Sequence, residues 1–162
     1  MDALAKAAPG DGRVYFSGGA SAVIEGWRQQ TIDVDIEPVP QSDALLRAIP
    51  GIKESIHLNV ELASPAHFIP ELPGWRERSR FIERVGTLDF FHYDFYAQAL
   101  SKLARGLERD LADVRAMLER ALVSREKAWA LFTQIEPQLY RYPRLDPRTF
   151  RGSVEAVLGP EP

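Results

Sequence analysis

The first part of the chain combines short apolar runs with glycine and proline, a pattern that predicts strands and short helices joined by tight turns. Residues 13–16 form a β-rich run that stops at Gly18-Gly19. Residues 20–27 supply helix formers with apolar side chains at helical spacing, which favours an amphipathic helix. Strand, glycine turn and helix therefore follow one another directly. Residues 1–12 are small, polar and punctuated by glycine and proline, and we expect an irregular lead-in there.

A second strand is predicted over residues 31–36, where apolar and polar positions alternate strictly. Asp33 and Asp35 occupy its polar face, because side chains two residues apart on a strand point to the same side. The bases of the two carboxylates are about 6.5–7 Å apart, from a rise of about 3.3 Å per residue. Pro38 and Pro40 are expected to end this strand.

A short helix and a third strand are predicted next. The helix spans residues 43–49, and Pro50 is expected to terminate it because proline disrupts a helix interior. Residues 56–62 alternate again, which places Asn59 and Glu61 on one face of the third strand.

The segment that follows is predicted to be a long loop and a hairpin. Residues 64–75 are rich in proline, and loops of this length are often functional. Residues 80–85 and 88–92 flank Gly86-Thr87, the pattern of a β-hairpin or of two edge strands.

The last part of the chain is predicted to be helical. A long amphipathic helix runs from the N-cap Asp94 through Leu122, with an interruption near Gly106. Two shorter helices are predicted over residues 124–135 and 146–158. The fold class is therefore α+β, with a small mixed sheet and flanking helices followed by a helical bundle half.

Two regions follow from this pattern. Residues 1–92 form the α/β core, and residues 93–162 form the helical half packed on it, as one unit or as two closely joined lobes.

Composition narrows the class of protein. The 162 residues are 45% hydrophobic and include no cysteine, which excludes disulfides and thiolate metal sites. The net charge of -3 argues against a protein that coats nucleic acid, so any such contact needs a local patch. No apolar run approaches the ~20 residues that span a bilayer, and no signal peptide is recognised. We expect no membrane association and a cytoplasmic location.

The chemistry suggested by the sequence is that of phosphate and metal binding. Carboxylates such as Asp33 and Asp35 are the ligands that Mg²⁺ or Mn²⁺ prefers. Glycines at a strand-to-helix turn let a ligand approach the backbone, and a helix N-terminus can bind phosphate. The residues that would contact the phosphates are Ser17, Gly18, Gly19 and Ser21.

This combination resembles the core motif of the DNA polymerase beta-type nucleotidyltransferases. That motif is a hydrophobic strand, a Gly-Gly or Gly-Ser turn, a spacer and an Asp-hydrophobic-Asp or Glu strand. Residues 16–23 and 33–36 match it, and the likeness extends over roughly residues 13–120. The chain is most similar to the small bacterial abortive-infection (AbiEii-like) and toxin–antitoxin branch.

The resemblance implies a metal site with three carboxylates. Asp33 and Asp35 supply two of them, and the third stands on a later strand of the family fold. If that position corresponds to Glu61, the set is complete, and this is the alternative that we favour. If it corresponds to Asn59, the site holds two acids and catalysis is in doubt.

The resemblance also implies functional residues on the long helix, where this branch carries a lysine followed by an Arg-Asp-hydrophobic-x-Asp run. Lys102 and the run that ends at Asp113 are similar, so Lys102 is expected at the triphosphate and Asp113 at the site. On one continuous helix the two residues would be about 16 Å apart along the axis. The alternative is a solvated Lys102, with Asp110 and Asp113 paired to nearby basic residues.

The function implied is the transfer of a nucleoside monophosphate from a nucleoside triphosphate to an RNA acceptor (such as tRNA) or to a protein, in a toxin–antitoxin or phage-defence system with a cognate partner. One rival is a catalytically lapsed member that serves as an antitoxin-like regulatory module. Another is a homodimeric scaffold that associates through the long helix.

Overall fold

A computed structural model describes all residues, 1–162, and shows an α+β protein with one five-stranded mixed sheet, which confirms the predicted fold class. The strands are β1 Gly12–Ser17, β2 Asp33–Val39, β3 Asn59–Leu62, β4 Arg80–Val85 and β5 Leu88–His92. The α-helices are α1 Asp2–Ala7, α2 Gly18–Ile24, α3 Asp43–Ile56, α4 Trp75–Arg78, α5 Phe95–Arg105, α6 Glu108–Glu119, α7 Arg125–Ile135 and α8 Pro147–Leu158. Short 3₁₀ helices span Pro65–His67 and Glu136–Arg141. No helix is both long and apolar enough to cross a membrane.

The chain forms two compact units. The sheet unit comprises Met1–Ser64 and Ser79–Tyr93, and the helical unit comprises Pro65–Arg78 and Asp94–Pro162. The proline-rich segment thus belongs to the helical unit, although it precedes the last two strands in the chain. The division into domains at residue 92 stays a prediction.

The order of strands in the sheet is β3-β2-β1-β5-β4. β1 lies at the centre, antiparallel to β2 and parallel to β5, and β2 is parallel to β3. β4 and β5 form the predicted hairpin. The register aligns Ser17 with Asp35 and Asp35 with Glu61, so these three residues form a row across three strands.

The core of the sheet unit lies on one face of the sheet, under the first three helices. The buried apolar residues of this core are Leu4, Val14, Phe16, Ala20, Ile36, Leu45, Ile49, Ile52, Val60, Leu88 and Phe90. The residues that alternate with the core positions point to the opposite face. Asp33, Asp35, Asn59 and Glu61 are therefore on that second face.

The first predicted helix ends at Ile24 rather than at residue 27, and four other sequence-based boundaries are wrong because of burial, strand pairing or helix capping. The expected lead-in forms helix α1, because Leu4 is buried in the core. β2 continues through Pro38, which is tolerated because β3 pairs with β2 only as far as Ile36. α3 continues through Pro50 because Ile49 and Ile52 on either side of it are both buried. β3 starts late because α3 runs on to its left-handed cap at residue 57.

In the helical unit, three predicted N-caps are confirmed by side-chain hydrogen bonds. Asp94 accepts from Tyr96 N, and Ser124 and Asp146 cap α7 and α8 in the same manner. The interruption near Gly106 is a complete break, with Gly106 in the left-handed region at φ 66°. The single long helix predicted from the sequence is therefore two helices, α5 and α6, which pack against each other.

The break predicts opposite effects of alanine at two glycines of the helical unit. Gly106→Ala should lower the free energy of unfolding by about 1–2 kcal/mol, because a side chain is strained in the left-handed region. Gly152→Ala should raise it by about 0.5–1 kcal/mol, because Gly152 lies within α8 and a Cβ there meets nothing within 4 Å. Urea unfolding of both variants measures the two changes. Equal effects would show that the backbone at residue 106 does not require glycine.

Candidate active site at the turn after the first strand

The turn between β1 and α2 depends on a glycine at position 18. Gly18 has φ 60°, a conformation that favours glycine. A Cβ atom at this position would lie 2.5 Å from Oδ2 of Asp35. The Asp35 carboxylate thus rests against the main chain of the turn, in the space that a side chain at residue 18 would fill.

Gly19 is required by a second close approach. A Cβ at Gly19 would collide with the side chain of Thr31, which itself donates a 2.9 Å hydrogen bond from Oγ1 to the carbonyl of Asp33. The two glycines therefore let β2, through Asp35, and the segment before it, through Thr31, pack against the turn. The sequence predicted the same two glycines for a different reason, the approach of a phosphate.

Asp33, Asn59 and Glu61 are joined by hydrogen bonds on the second face of the sheet. Asn59 Nδ2 donates to Asp33 Oδ1 at 3.0 Å and to Glu61 Oε1 at 2.8 Å. Asn59 Oδ1 accepts from Lys53 Nζ at 3.0 Å. Both amide protons of Asn59 are engaged. Asn59 thereby links the two carboxylates through its neutral amide and connects them to the ammonium group of Lys53.

These hydrogen bonds affect the predicted metal site of three carboxylates, Asp33, Asp35 and Glu61. No group of three or more His, Asp or Glu residues is arranged to hold a metal ion. Glu61 is directly opposite Asp35 in the register, but its carboxylate is drawn to the Asn59 amide. Mg²⁺ is commonly held by one or two carboxylates, with water and substrate phosphate completing its shell. Asp33 and Asp35 fit such a two-carboxylate site, and the set of three with Glu61 is not assembled.

The two serines predicted to bind phosphate are both buried. Ser17 is 6% exposed and Ser21 is fully buried. The Ser21 hydroxyl donates to the carbonyl of Phe16 at 2.9 Å. Side-chain contacts from these serines to a ligand would require the turn to open.

A buried histidine at the end of β5 fixes α2 to the sheet. His92, the last residue of β5, is 3% exposed. Its Nε2 lies 3.1 Å from Glu25 Oε1 and its Nδ1 lies 3.1 Å from Ser21 Oγ. Arg80 Nη1 is 3.5 Å from the same Glu25 oxygen. The detectable signal in the sequence was the spacing of Ser21 and Glu25, which places both on one side of α2.

Burial lowers the pKa of His92, the nearby Glu25 carboxylate raises it to a smaller extent, and Arg80 lowers it further. Neutral His92 carries one ring proton: on Nε2 it donates to Glu25, and on Nδ1 it donates to the oxygen of Ser21, whose own hydroxyl proton is directed to the carbonyl of Phe16. A serine, a histidine and a carboxylate in line resemble a nucleophilic triad. Because Ser21 has no exposed surface, we assign this cluster to positioning of the turn.

Lys102 and Asp113 lie together in the helical unit, contrary to the 16 Å separation expected on one continuous helix. Lys102 Nζ is 2.6 Å from Asp113 Oδ2 and 3.1 Å from Asp110 Oδ1. Arg105 binds Asp110 through Nε at 3.0 Å and Nη2 at 2.8 Å. Lys102 is 3% exposed, so the alternative of a solvated lysine is also wrong. The break at Gly106 brings the four charges together, two positive and two negative.

Comparison with known proteins gives one family. The model of the family described as "Nucleotidyltransferase of unknown function (DUF6036)" matches residues 8–144, which is most of the chain. The matched span contains the turn, Asp33, Asp35, Glu61 and the Lys102 cluster. No curated protein and no solved structure matches the chain.

The pKa of His92 predicts a pH dependence of stability. Between the depressed pKa in the folded protein and the ordinary value of 6.5, the unfolded chain takes up a proton that the folded protein does not. The free energy of unfolding should therefore fall as the pH falls through 6.5. His92→Gln should remove this part of the slope. Urea unfolding from pH 7.5 to pH 5 measures it.

The control for this experiment is His67→Gln, because His67 is an exposed histidine with no part in the contacts of Ser21, Glu25 and His92. Burial raises the pKa of Asp94, so the free energy of unfolding gains a pH dependence of the opposite sign at lower pH. This contribution is the same in wild type and in both variants. An identical pH profile for wild type and His92→Gln would contradict the assignment.

The Lys102 cluster predicts a large loss of stability when one charge is removed. Lys102→Met should lower the free energy of unfolding by about 3–5 kcal/mol, because the buried Asp113 carboxylate loses its ion pair with Lys102. The double variant Lys102→Met, Asp113→Leu should recover much of the loss. Chemical unfolding of both variants tests this. A single variant as stable as wild type would mean that the ion pair does not hold α6 against α5.

Proposed function

This chain belongs to the nucleotidyltransferases of unknown function, and we propose that it is a metal-dependent enzyme that transfers a nucleoside monophosphate from a nucleoside triphosphate to an RNA or protein acceptor. The observation that carries the proposal is the position of Asp35 against the Gly18 main chain, with Asp33 two residues before it on the same face. Two carboxylates thus lie beside a strand-to-helix turn, and the chain belongs to a family of nucleotidyltransferases.

In the proposed reaction, Asp33 and Asp35 would hold Mg²⁺ or Mn²⁺. The bound ion would offset the negative charge of the triphosphate and polarise the phosphate that is attacked. Gly18 keeps the Asp35 carboxylate at the turn, and the Thr31 hydroxyl holds the main chain at Asp33. The acceptor hydroxyl or phosphate would attack the α-phosphate, a new P–O bond would form, and pyrophosphate would leave.

The proposed nucleotide contacts at Ser17, Gly18, Gly19 and Ser21 are assigned to main-chain atoms, since both serine side chains are buried. Glu61 would assist through Asn59, which orients both Glu61 and Asp33. Roles for Lys102 and Asp113 at the triphosphate stay predictions. The stabilised double variant of these two residues tests them, because it separates loss of nucleotide binding from loss of folding.

A second candidate function is a catalytically lapsed module that binds or regulates a partner, such as an antitoxin-like protein. The observation that favours it is Asn59, which stands between Asp33 and Glu61 where a cation could otherwise bind both acids. A tRNA acceptor is a proposal that accompanies the enzyme. A cognate toxin or antitoxin partner is a proposal under either candidate, and a homodimer is a separate proposal. The scaffold alternative loses its single long helix, because the chain breaks at Gly106.

The proposal predicts a transfer activity that depends on both aspartates. Wild-type protein incubated with each α-³²P nucleoside triphosphate, Mg²⁺ or Mn²⁺ and total RNA or protein should label an acceptor. Asp33→Asn with Asp35→Asn should reduce labelling by more than about 100-fold, because even outer partners of metal ligands are worth about 10–100-fold. Equal labelling by this double variant would remove the site from the reaction.

Gly18→Ala offers a sharper test with a matched control. A Cβ at Gly18 displaces the Asp35 carboxylate, whereas Gly26 has φ 82° and open space around a Cβ. Both substitutions strain the backbone to a similar degree, so strain alone cannot separate them. Because only Gly18→Ala also displaces Asp35, transfer should be lost in Gly18→Ala and kept in Gly26→Ala. If wild type binds metal and triphosphate but labels nothing, and Asn59→Asp gains metal affinity without transfer, the lapsed module is the better account.

A further inference from the structure

The helical unit contains a cavity of about 750 Å³ that no part of the proposed transfer reaction uses. Its lining combines arginine with aromatic and aliphatic side chains: His67, Phe68, Ala104, Arg105, Leu107, Arg141, Tyr142, Pro143, Arg144 and Leu145. We propose that this cavity binds a phosphorylated nucleotide, either free or at the 5′ end of an RNA strand. The inference stands apart from the catalytic proposal and does not depend on it.

The cavity has a charge opposite to that of the whole protein. Three arginines and one histidine line it, and no aspartate or glutamate does, although the chain has a net charge of -3. In contrast, a cavity of about 330 Å³ in the sheet unit is lined mainly by apolar residues and contains no charged side chain. The larger cavity is the local basic patch that an acidic protein needs in order to bind a phosphate.

Two of the three arginines are available to a ligand. Arg105 is held by Asp110 and stacks on Phe68, with 4.8 Å from its guanidinium carbon to the ring centre. Arg141 lies over the exposed ring of Tyr140 and donates from Nε to its hydroxyl at 3.3 Å, and Arg144 forms no ion pair or hydrogen bond. Both are exposed and lack a carboxylate partner. A guanidinium group binds a phosphate or a carboxylate through two parallel N–H donors, and two arginines without acidic partners match the nearly double negative charge of a phosphate monoester.

The apolar part of the lining is suited to a nucleobase. Phe68 is 38% exposed and Leu107 is 62% exposed, so both present apolar surface to a ligand in the cavity. Tyr142 and Pro143 add two further flat surfaces. Bases stack on aromatic rings and on guanidinium planes without sequence preference. An inorganic anion would leave this surface exposed to water, whereas a nucleotide would cover it.

The walls of the cavity are joined to each other before any ligand arrives. The hydroxyl of Tyr142 donates to the carbonyl of Ala66 at 3.1 Å, which ties the segment after the 3₁₀ helix Glu136–Arg141 to the 3₁₀ helix Pro65–His67. Phe68 is in turn covered by Arg105 from α5. The volume lies within the range of about 300–1,000 Å³ that small-molecule sites occupy.

The test is calorimetric titration of the full chain carrying Asp33→Asn and Asp35→Asn, in EDTA, so that the candidate active site contributes no metal-dependent binding. The probes are adenosine 5′-monophosphate, adenosine, inorganic phosphate, and a short oligoadenylate with a 5′-phosphate or a 5′-hydroxyl. The nucleotide should bind at least about tenfold more tightly than adenosine or phosphate alone. Tighter binding of the 5′-phosphorylated strand than of the free nucleotide would identify an RNA end, and the reverse a free nucleotide.

The variants are Arg141→Gln with Arg144→Gln, and as a control of equal charge Arg115→Gln with Arg148→Gln, two exposed arginines outside the cavity. The first pair should weaken nucleotide binding at least about tenfold, and the second should not. Equal affinity in both pairs overturns the site. Equal binding of adenosine and its monophosphate overturns the role of the arginines, and equal binding of phosphate and the monophosphate overturns the role of the apolar wall. Absence of any binding at millimolar nucleotide overturns the proposal while leaving the transfer reaction untouched.

Discussion

The carboxylate of Asp35 occupies the space in which a side chain at residue 18 would begin, and the geometry of the candidate site follows from this contact. The antiparallel register sets Ser17 opposite Asp35, so the chain must leave β1 beside that carboxylate. Only glycine allows both the turn and the approach. The helix that starts there is then fixed from behind by His92, which contacts Ser21 and Glu25. The acidic residue and the turn are thus held together by steric and polar constraints on opposite sides of the same short helix.

The second constraint is the proximity of like charges on the same face. Asp35 and Glu61 are directly opposite in neighbouring strands, a placement that is unfavourable for two carboxylates without a donor between them. Asn59 donates to Glu61 and so turns that carboxylate toward Asp33, to which it also donates, while Lys53 donates to the Asn59 side-chain oxygen. The fold therefore tolerates its acidic residues without a metal ion. This explains how one sequence can support both an active and a lapsed interpretation, since the amide stabilises the acids in either case.

The sequence predicts the strands well because strict alternation leaves only one face that can be buried, and both Asp33 and Asp35 were placed on the correct side. The sequence-based expectation that Pro38 ends β2 and that Pro50 ends α3 is wrong, because both elements continue through the proline. Pro50 remains within α3 because burial of the surrounding apolar face outweighs the lost hydrogen bond. The break at Gly106 was visible in the sequence, but its consequence was not, because pairing between α5 and α6 is a tertiary contact. A sequence periodicity cannot show that Lys102 and Asp113 meet after the chain reverses.

Burial separates the charged residues that hold the fold from those that remain accessible to a ligand. Lys102, Asp113 and His92 are each almost fully buried and have partners of the opposite charge or matching polarity, which is what a low-dielectric interior requires. Asp33 and Glu61 on the sheet are exposed, as are Arg141 and Arg144 in the helical unit. Exposure alone carries little meaning for a charged side chain. It gains meaning where like charges gather around a turn or a cavity, because a ligand of the opposite charge then lowers the electrostatic repulsion between them.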